Sequence, residues 1–330
     1  MDALVEIAAL SCEPRRRDRG EGRGRCKRDE DEDAAPHSSV VAAESCDLTK
    51  NSQEPVYDRV IATLAAFAAA AALLPGFTPY AAGRSGGAVL TGVFPGGERP
   101  GYVYLPPGFT PQRRYPVLYL LHGMPGSPSE YLAGTDLTDW ADTEIAAGAV
   151  GAFIAVLPAA GPDRDYNGEW AGPLENEIVD RLVPWIDAHL PTIATARGRV
   201  IAGLSAGGYG AVDIGLRHPN LFGTIEAWSA YFRPLHDGPF KHASRATLDA
   251  NDPTILAPAE ARLLHRAGTR FFLSSGPAHS HWFKPADTIA FDRELRAAGL
   301  PVRYHLYTRR QGEWRAQLDT GLHWAFAPPR

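Results

Sequence analysis

Short apolar runs alternate with segments of helical periodicity through most of the chain after residue 100. The helical periodicity is clearest at residues 178–190, 291–298 and 314–326. Because strands that alternate with helices form a mostly parallel sheet with helices on both faces, we expect an α/β fold. Its active site should lie at the carboxyl edge of that sheet. The runs interpreted as strands are residues 101–105, 116–121, 152–157, 199–204, 224–228, 270–274 and 302–307.

One long segment does not fit this alternation. Residues 233–257 are rich in proline and show no clear period, so we expect them to form a loop or a lid. A segment between two predicted strands lies near the ends of those strands. We therefore expect it to cover the carboxyl edge of the sheet, where the active site should be.

Composition divides the chain into three parts. Residues 13–33 hold an Arg-rich stretch and then an acidic block at 29–33, with nothing apolar to bury, and we interpret residues 1–58 as a disordered or spurious extension. Most of the formal net charge of −5 lies before residue 83. Residues 83–330 have nearly balanced charge and the length of one α/β domain. Because the charge balance gives no basic footprint there, the sequence does not favour a nucleic-acid partner.

An uncharged apolar run at residues 60–74 follows Arg59 and precedes small residues near Ala82. A basic flank, an apolar stretch and small residues are the parts of a secretory signal, so residues 59–82 are predicted to be a signal peptide or a signal anchor. A true start near Arg59 would make residues 1–58 an over-extended reading frame. An uncleaved anchor would instead hold the protein at a membrane or the cell envelope, and a buried Ala-rich helix is the third interpretation. Export is the preferred interpretation, and the predicted location is secreted or cell envelope.

The strand predicted at residues 199–204 leads directly into the sequence GLSAG, centred on Ser205, and then into a helical pattern. A turn from strand to helix this sharp needs small residues beside the nucleophile, which Gly203 and Gly207 are. The serine oxygen then stands at a helix N-terminus, where the partial positive charge and free N–H groups stabilise an oxyanion. Ser205 is therefore predicted to be a catalytic nucleophile, with the N–H of Ala206 in its oxyanion hole.

A second motif follows the strand predicted at residues 116–121, where His122, Gly123 and Met124 open a flexible loop. Such a loop supplies the second N–H group of an oxyanion hole, and we expect Met124 to provide it. A catalytic base is expected late in the chain. His122 is therefore predicted to have a structural role.

Three segments resemble a known family. They are YPVLYLLHG at residues 115–123, RVIAGLSAGGYGAVDIGLRHPNLF at 199–222 and WRAQLDTGLHWAF at 314–326. They resemble the putative-esterase family of the α/β-hydrolases, which is similar to enterochelin esterases, feruloyl esterases, esterase D and the secreted mycolyltransferases. The resemblance covers residues 101–326. It implies an α/β-hydrolase fold, ester hydrolysis or acyl transfer through an acyl-serine, and no nucleotide cofactor or metal.

The chain departs from the family pattern in the two loops that should complete a catalytic triad. The pattern places an acid after the strand at 270–274 and a histidine after the strand at 302–307. Here the first loop, residues 275–282, holds His279 and His281 but no acid. The second loop, residues 308–314, holds Glu313 but no histidine.

Two interpretations of these loops remain open. In the first the roles are exchanged, so that His281 or His279 is the base and Glu313 orients it; triads are recognised by geometry rather than by order in the chain. Asp237 is a further candidate for the acid. In the second interpretation the triad is lost and the protein is a catalytically weak or inactive cell-envelope protein.

The preferred prediction is an exported serine esterase or acyltransferase that acts on a small-molecule or lipid ester. Its predicted catalytic residues are Ser205, His281 and Glu313, and its oxyanion hole is formed by Met124 and Ala206. Whether water or an alcohol takes the acyl group depends on the acceptor that reaches the acyl-enzyme, so hydrolysis and transfer both remain open.

Overall fold

One sheet organises the part of the chain that the structure, a computed structural model, describes: residues 67–68, 72–277, 284–308 and 313–328, with the backbone alone of residue 313. Its nine strands are β1 (Thr78–Ala82), β2 (Ala88–Val93), β3 (Pro100–Leu105), β4 (Val117–Leu121), β5 (Ile154–Leu157), β6 (Arg199–Leu204), β7 (Thr224–Trp228), β8 (Arg270–Ser275) and β9 (Val302–Leu306).

The strands lie side by side in the order β1-β2-β3-β5-β4-β6-β7-β8-β9. The contacts of β1 with β2, of β2 with β3 and of β3 with β5 are antiparallel, and the remaining contacts are parallel. The strand that precedes Ser205, β6, is therefore flanked by two parallel strands, β4 and β7. Their carboxyl ends bring three loops to one edge of the sheet.

Helices cover both faces of the sheet. They are α1 (Ser129–Ala133), α2 (Leu137–Ala146), α3 (Pro173–Asn176), α4 (Val183–His189), α5 (Ala206–Arg217), α6 (Arg245–Asp249), α7 (Pro253–Ala267), α8 (Pro285–Ala297) and α9 (Glu313–Ala325), and a π-helix (Glu177–Leu182) joins α3 to α4. Helices α2 and α9 pack with one apolar core, and α5, α7 and α8 pack with the other. This architecture confirms the predicted α/β-hydrolase fold.

The seven strands predicted from the sequence are all present, with ends that differ by at most two residues. The hairpin of β1 and β2 was not predicted, because both strands are short, the turn between them is rich in glycine and β1 is mostly exposed. The expected loop at residues 233–257 is only partly one. Helix α7 begins inside it, where Pro253 occupies the first turn and the Asp252 side chain accepts a hydrogen bond from Thr254 N at 2.9 Å. Pro258 inside α7 obscured the helical pattern.

Residues just before position 83 belong to the same structure. Leu74 and Phe77 are buried in the core, and the ring centroids of Phe77 and Phe94 lie 5.0 Å apart. Strand β1 adds an edge to the sheet, so the described sheet begins upstream of the predicted domain start at residue 83. Residues 1–58 and most of the run at 60–74 lie outside the described residues. Among the helices of the described part, none combines the length and apolar character needed to cross a bilayer.

Helix α5, which follows Ser205, contains a buried carboxyl group. Asp213 has no exposed surface, and neither of its side-chain oxygens has a hydrogen-bond partner among the described residues. Burial raises the pKa of Asp213 from 3.8 to about 8. The folded protein therefore holds a proton that the unfolded chain releases above about pH 4, so the free energy of unfolding falls as the pH rises from about 4 to about 8.

Asp213→Asn is expected to remove this pH dependence, because the amide stays neutral. At pH 8 the substitution should raise Tm by about 5 °C, because it removes the free-energy cost, about a few kcal/mol, of burying the Asp213 carboxyl group at that pH. At pH 4, where the folded and much of the unfolded Asp213 are protonated, Tm should change little. Thermal unfolding at both pH values measures this, with the exposed Asp180→Asn as the matched control. Equal shifts at both pH values would contradict the buried, protonated carboxyl.

Candidate active site

Ser205 occupies the turn between β6 and α5, in a backbone conformation that side-chain-bearing residues rarely adopt. Its φ is 55° and its ψ is −121°. Two hydrogen bonds hold this turn: Ser205 N donates to Trp228 O at 3.0 Å, and Tyr209 N donates to Ser205 O at 3.0 Å. Strained conformations of this kind persist where neighbouring contacts impose them, and they concentrate at functional sites. The structure thus gives Ser205 the geometry of a nucleophile turn.

The two glycines of the motif are required by close packing. A Cβ at Gly203 would collide with backbone atoms of Gly207, and a Cβ at Gly207 would collide with the carbonyl of Leu121 at the end of β4. Both residues therefore let α5 approach the sheet closely enough for Ser205 to stand at its carboxyl edge. This is the spatial reason for the G-x-S-x-G pattern predicted to mark a nucleophile.

A buried tyrosine supports the turn from the other face of the sheet. The Tyr131 hydroxyl on α1 accepts a hydrogen bond from Leu204 N at 3.0 Å and donates one to Leu121 O at 2.9 Å. It therefore ties the residue before Ser205 to the last residue of β4, which leads into the loop of Met124. Tyr131 was not identified from the sequence, because a tyrosine in a short helix carries no pattern that indicates this contact.

The loop after β4 lies against the nucleophile. A Cβ at Gly123 would stand 3.5 Å from Ser205 Cβ, and the Met124 side chain packs on the cluster that contains Ala206. Ala206 is the first residue of α5, so helix geometry leaves its N–H without an intrahelical acceptor. The structure thus brings Ser205, Met124 and Ala206 together, and the two oxyanion assignments remain predictions that this proximity supports.

His122 is a buried, neutral side chain, as its predicted structural role requires. Its Nδ1 donates to Gly123 O at 2.7 Å, and its Nε2 accepts from Ala160 N at 3.1 Å. Burial lowers the pKa of His122 to about 4. With both ring nitrogens engaged in backbone contacts, His122 fixes the loop after β4 to the loop after β5.

An apolar cluster adjoins the nucleophile turn, and we call it the apolar wall. Its buried members are Ala171, Ala206, Tyr209, Tyr231 and Phe240, and Met124, Leu235, Ala243 and Leu248 pack against them. The Tyr209 and Tyr231 rings stack with centroids 5.2 Å apart. Part of the wall comes from residues 231–248, so the segment predicted to cover the active edge does pack beside it.

A buried acid lies behind the apolar wall. Glu169 accepts a hydrogen bond from the Tyr231 hydroxyl at 2.5 Å, and burial raises the pKa of Glu169 to about 8. The carboxyl of Asp237, which the sequence offered as an acid candidate, adds to this rise by charge repulsion. Asp237 itself is partly buried, and desolvation raises its pKa. Within the described residues no three His, Cys, Asp or Glu side chains are grouped to hold a metal ion.

The remaining triad predictions fall outside what the structure describes. His279 and His281 lie in residues 278–283, which are outside the described part of the chain. Glu313 is the first residue of α9, and its side chain is likewise outside it. Their roles as base and orienting acid therefore remain predictions. The described residues that flank these segments are Pro277 and Lys284 for the first and Thr308 and the start of α9 for the second.

Comparisons with known proteins agree with this geometry. The model of a family described as "Putative esterase" matches residues 93–325. A curated endo-1,4-beta-xylanase/feruloyl esterase of Xylanibacter ruminicola is 37% identical over 131 residues, which are 37% of this chain and 18% of that protein. An esterase of Mycobacterium tuberculosis is 30% identical over 242 residues, which cover 63% of this chain and 52% of that protein. The chain thus spans about half or less of the length of these relatives.

Solved structures share the fold. A ferulic acid esterase superposes with a TM-score of 0.62 at 24% identity, covering 73% of this chain and 97% of that chain. An S-formylglutathione hydrolase from Agrobacterium tumefaciens superposes with a TM-score of 0.58 at 16% identity, covering 75% and 97% of the two chains. At these identities the likeness concerns the α/β-hydrolase fold alone.

Proposed function

The chain belongs to the putative-esterase family, and we propose that it is an exported serine esterase or acyltransferase that works through an acyl-enzyme on Ser205. The observation that carries this proposal is the strained turn of Ser205, placed at the N-terminus of α5 and against the loop of Met124. Family membership supports an esterase function. The covalent mechanism, the export and the choice of acceptor are parts of the proposal.

The proposed reaction has two halves. Ser205 Oγ attacks the ester carbonyl while His281 accepts its proton, and the alcohol leaves with that proton. The N–H groups of Met124 and Ala206 stabilise the oxyanion, and the positive end of the α5 dipole adds to their effect. Water or an alcohol then gives a proton to His281 and attacks the acyl-serine, and His281 passes that proton to Ser205 Oγ as the acid or a new ester is released. Glu313 orients the imidazole of His281 in both halves.

The proposed substrate is a small-molecule or lipid ester with an apolar acyl or alcohol part. The apolar wall supports this, because its aromatic side chains pack in one cluster with Ala206, the residue that follows Ser205. The printed name of one relative includes feruloyl esterase, which is consistent with an aromatic acyl group but belongs to that protein. The proposed location is secreted or cell envelope, supported by the apolar run at residues 60–74.

A second function is favoured by one observation, the absence of an acid in residues 275–282 and of a histidine in residues 308–314. On that ground the chain would be an inactive cell-envelope protein that keeps the α/β-hydrolase fold. The two functions differ in whether Ser205 can be acylated at all.

Rapid-mixing kinetics with p-nitrophenyl acetate and p-nitrophenyl butyrate tests the acyl-enzyme. The expected result is a burst of nitrophenol close to one per protein molecule, followed by slower turnover, because acylation precedes deacylation. Adding a primary alcohol separates hydrolase from transferase: a transferase forms the new ester in preference to the acid. Folded protein that releases no nitrophenol above the buffer rate would favour the inactive envelope protein.

A further inference from the structure

A buried polar cluster lies at the carboxyl ends of β7 and β8, beside the strand that leads to Ser205, where an apolar core would be expected. Its centre is Gln317 on α9, whose side chain has no exposed surface. Gln317 Oε1 accepts a hydrogen bond from the Ser274 hydroxyl at 2.8 Å, and Gln317 Nε2 donates to Ser229 Oγ at 3.0 Å. The next residue, Leu318, is buried in the apolar core. A buried amide is costly without partners, so this glutamine stays inside the protein because both ends of it are bonded.

The serine that receives this bond is itself in a strained conformation. Ser229 has φ 46°, in the left-handed region that favours glycine, and is 1% exposed. Ser229 N donates to Ser274 O at 2.7 Å, and Ser229 Oγ accepts from Gly276 N at 3.3 Å. Its backbone and its side chain are therefore both held, and these bonds impose the strained turn at the end of β7.

The strained turn of Ser229 is joined directly to that of Ser205. Trp228, the residue before Ser229, supplies the carbonyl that accepts the Ser205 N–H at 3.0 Å. Ser205 and Ser229, both with positive φ, thus directly follow the adjacent parallel strands β6 and β7. The peptide group between Trp228 and Ser229 links the two turns. A shift at Ser229 would be passed to the peptide that precedes the nucleophile.

The same cluster reaches the two loops that carry the predicted base and acid. Gly276, bonded to Ser229, begins the loop that leads to His281 in the sequence, and Gln317 lies one turn after the start of α9 at Glu313. A further hydrogen bond holds this helix. The hydroxyl of Tyr307, the residue after β9, donates to Ala316 O at 2.8 Å. The cluster therefore meets the ends of β7 and β8 and the first turns of α9.

We propose that Gln317 is a positioning residue for catalysis, which holds the Ser229 turn and through it the orientation of Ser205. This inference rests on the proposed function, since it assigns Gln317 a role in the reaction of Ser205. Gln317 touches no substrate. Its effect is on the alignment of the nucleophile with the oxyanion N–H groups, so its loss should lower the rate of acylation more than the binding of substrate.

Gln317→Met tests this role, because methionine keeps the length of the side chain and removes both hydrogen bonds. The expected result is a fall in kcat of about 10-fold to 100-fold with KM within about two-fold, since a small misplacement of a reacting group has effects of this size. The rate at which a fluorophosphonate labels Ser205 should fall by the same factor. Gln317→Glu, assayed at pH 6, should restore most of the rate, because a buried protonated carboxyl can accept from Ser274 and donate to Ser229.

Two further variants keep the test decisive. Thr269→Val is the matched control. The Thr269 hydroxyl is buried and has no hydrogen-bond partner among the described residues. Thr269 directly precedes β8, at the end of the strand opposite to Ser274, so kcat should stay unchanged. Ser274→Ala removes one bond of the cluster and serves if Gln317→Met does not fold. It should lower kcat about three-fold with KM unchanged.

The outcomes separate this inference from the proposed function. Wild-type protein that is folded and yet unlabelled by the fluorophosphonate would overturn both. If the wild type is labelled and Gln317→Met has the wild-type labelling rate and kcat, the positioning role alone is overturned. If Gln317→Met does not fold, the same result for Ser274→Ala overturns it. A rise in KM with kcat unchanged would also overturn it, because that result would place Gln317 in substrate binding.

Discussion

Ser205→Ala is expected to abolish ester hydrolysis, lowering kcat by at least about 10,000-fold, because the reaction loses the atom that forms the acyl-enzyme. The fold should be unaffected, since the hydrogen bonds that hold this turn use the backbone N and O of Ser205. Far-ultraviolet circular dichroism and Tm should therefore match the wild type. Steady-state kinetics with a p-nitrophenyl ester measures the loss.

Ser85→Ala is the matched control for this substitution. Ser85 lies in the turn between β1 and β2, at the edge of the sheet remote from β6, and its backbone N rather than its hydroxyl bonds Asp142 at 2.7 Å. Its kcat should equal that of the wild type. If Ser205→Ala retained more than about a tenth of the wild-type kcat, Ser205 would not be the nucleophile.

His281→Ala is expected to lower kcat by at least about 1,000-fold, because a serine without a general base is a weak nucleophile at neutral pH. His279→Ala, two residues earlier in the same loop, should change kcat by less than about five-fold and serves as its control. The reverse pattern would make His279 the base. Comparison of the two variants at several pH values also shows whether the acidic limb of the rate profile disappears with the base.

If both histidine variants kept the wild-type rate, the exchanged triad would be wrong. The orienting acid is separated in the same way, because Glu313→Gln and Asp237→Asn each remove one of the candidates. Replacing the acid that orients the base by its amide should lower kcat by about 100-fold to 10,000-fold. Replacing the other candidate acid should change kcat little.

Much of the fold could be predicted from the sequence because the parallel strands are buried on both faces. Strands such as Arg199–Leu204 and Thr224–Trp228 are short, mostly apolar segments that are buried along almost their whole length, and their ends were predicted correctly. The hairpin of β1 and β2 was missed because β1 is an exposed edge strand without an apolar pattern, and the buried part of β2 is only three residues long. Helix α7 was missed because Pro253 and Pro258 resemble loop residues, although a proline in the first turn favours a helix start.

The nucleophile could be predicted because its chemistry imposes a local pattern, whereas its supports could not. The small residues that the turn requires, Gly203 and Gly207, lie within two positions of Ser205, so the sequence shows them as one motif. Tyr131 and Ser229 act through contacts with distant residues, and only the assembled sheet brings them to the turn. In the sequence Gln317 is a polar residue beside the apolar face of a predicted helix. That position does not indicate that its side chain is buried and bonded to Ser229.

Locating a covalent label on the protein shows whether Ser205 is an activated nucleophile. Purified protein is incubated with a fluorophosphonate, digested with trypsin and analysed by mass spectrometry. The peptide of residues 200–217 contains Ser205 as its only serine. The expected result is one label on this peptide in the wild type and none in Ser205→Ala. Folded wild-type protein with no label, or with a label on another serine, would show that Ser205 is not the activated nucleophile.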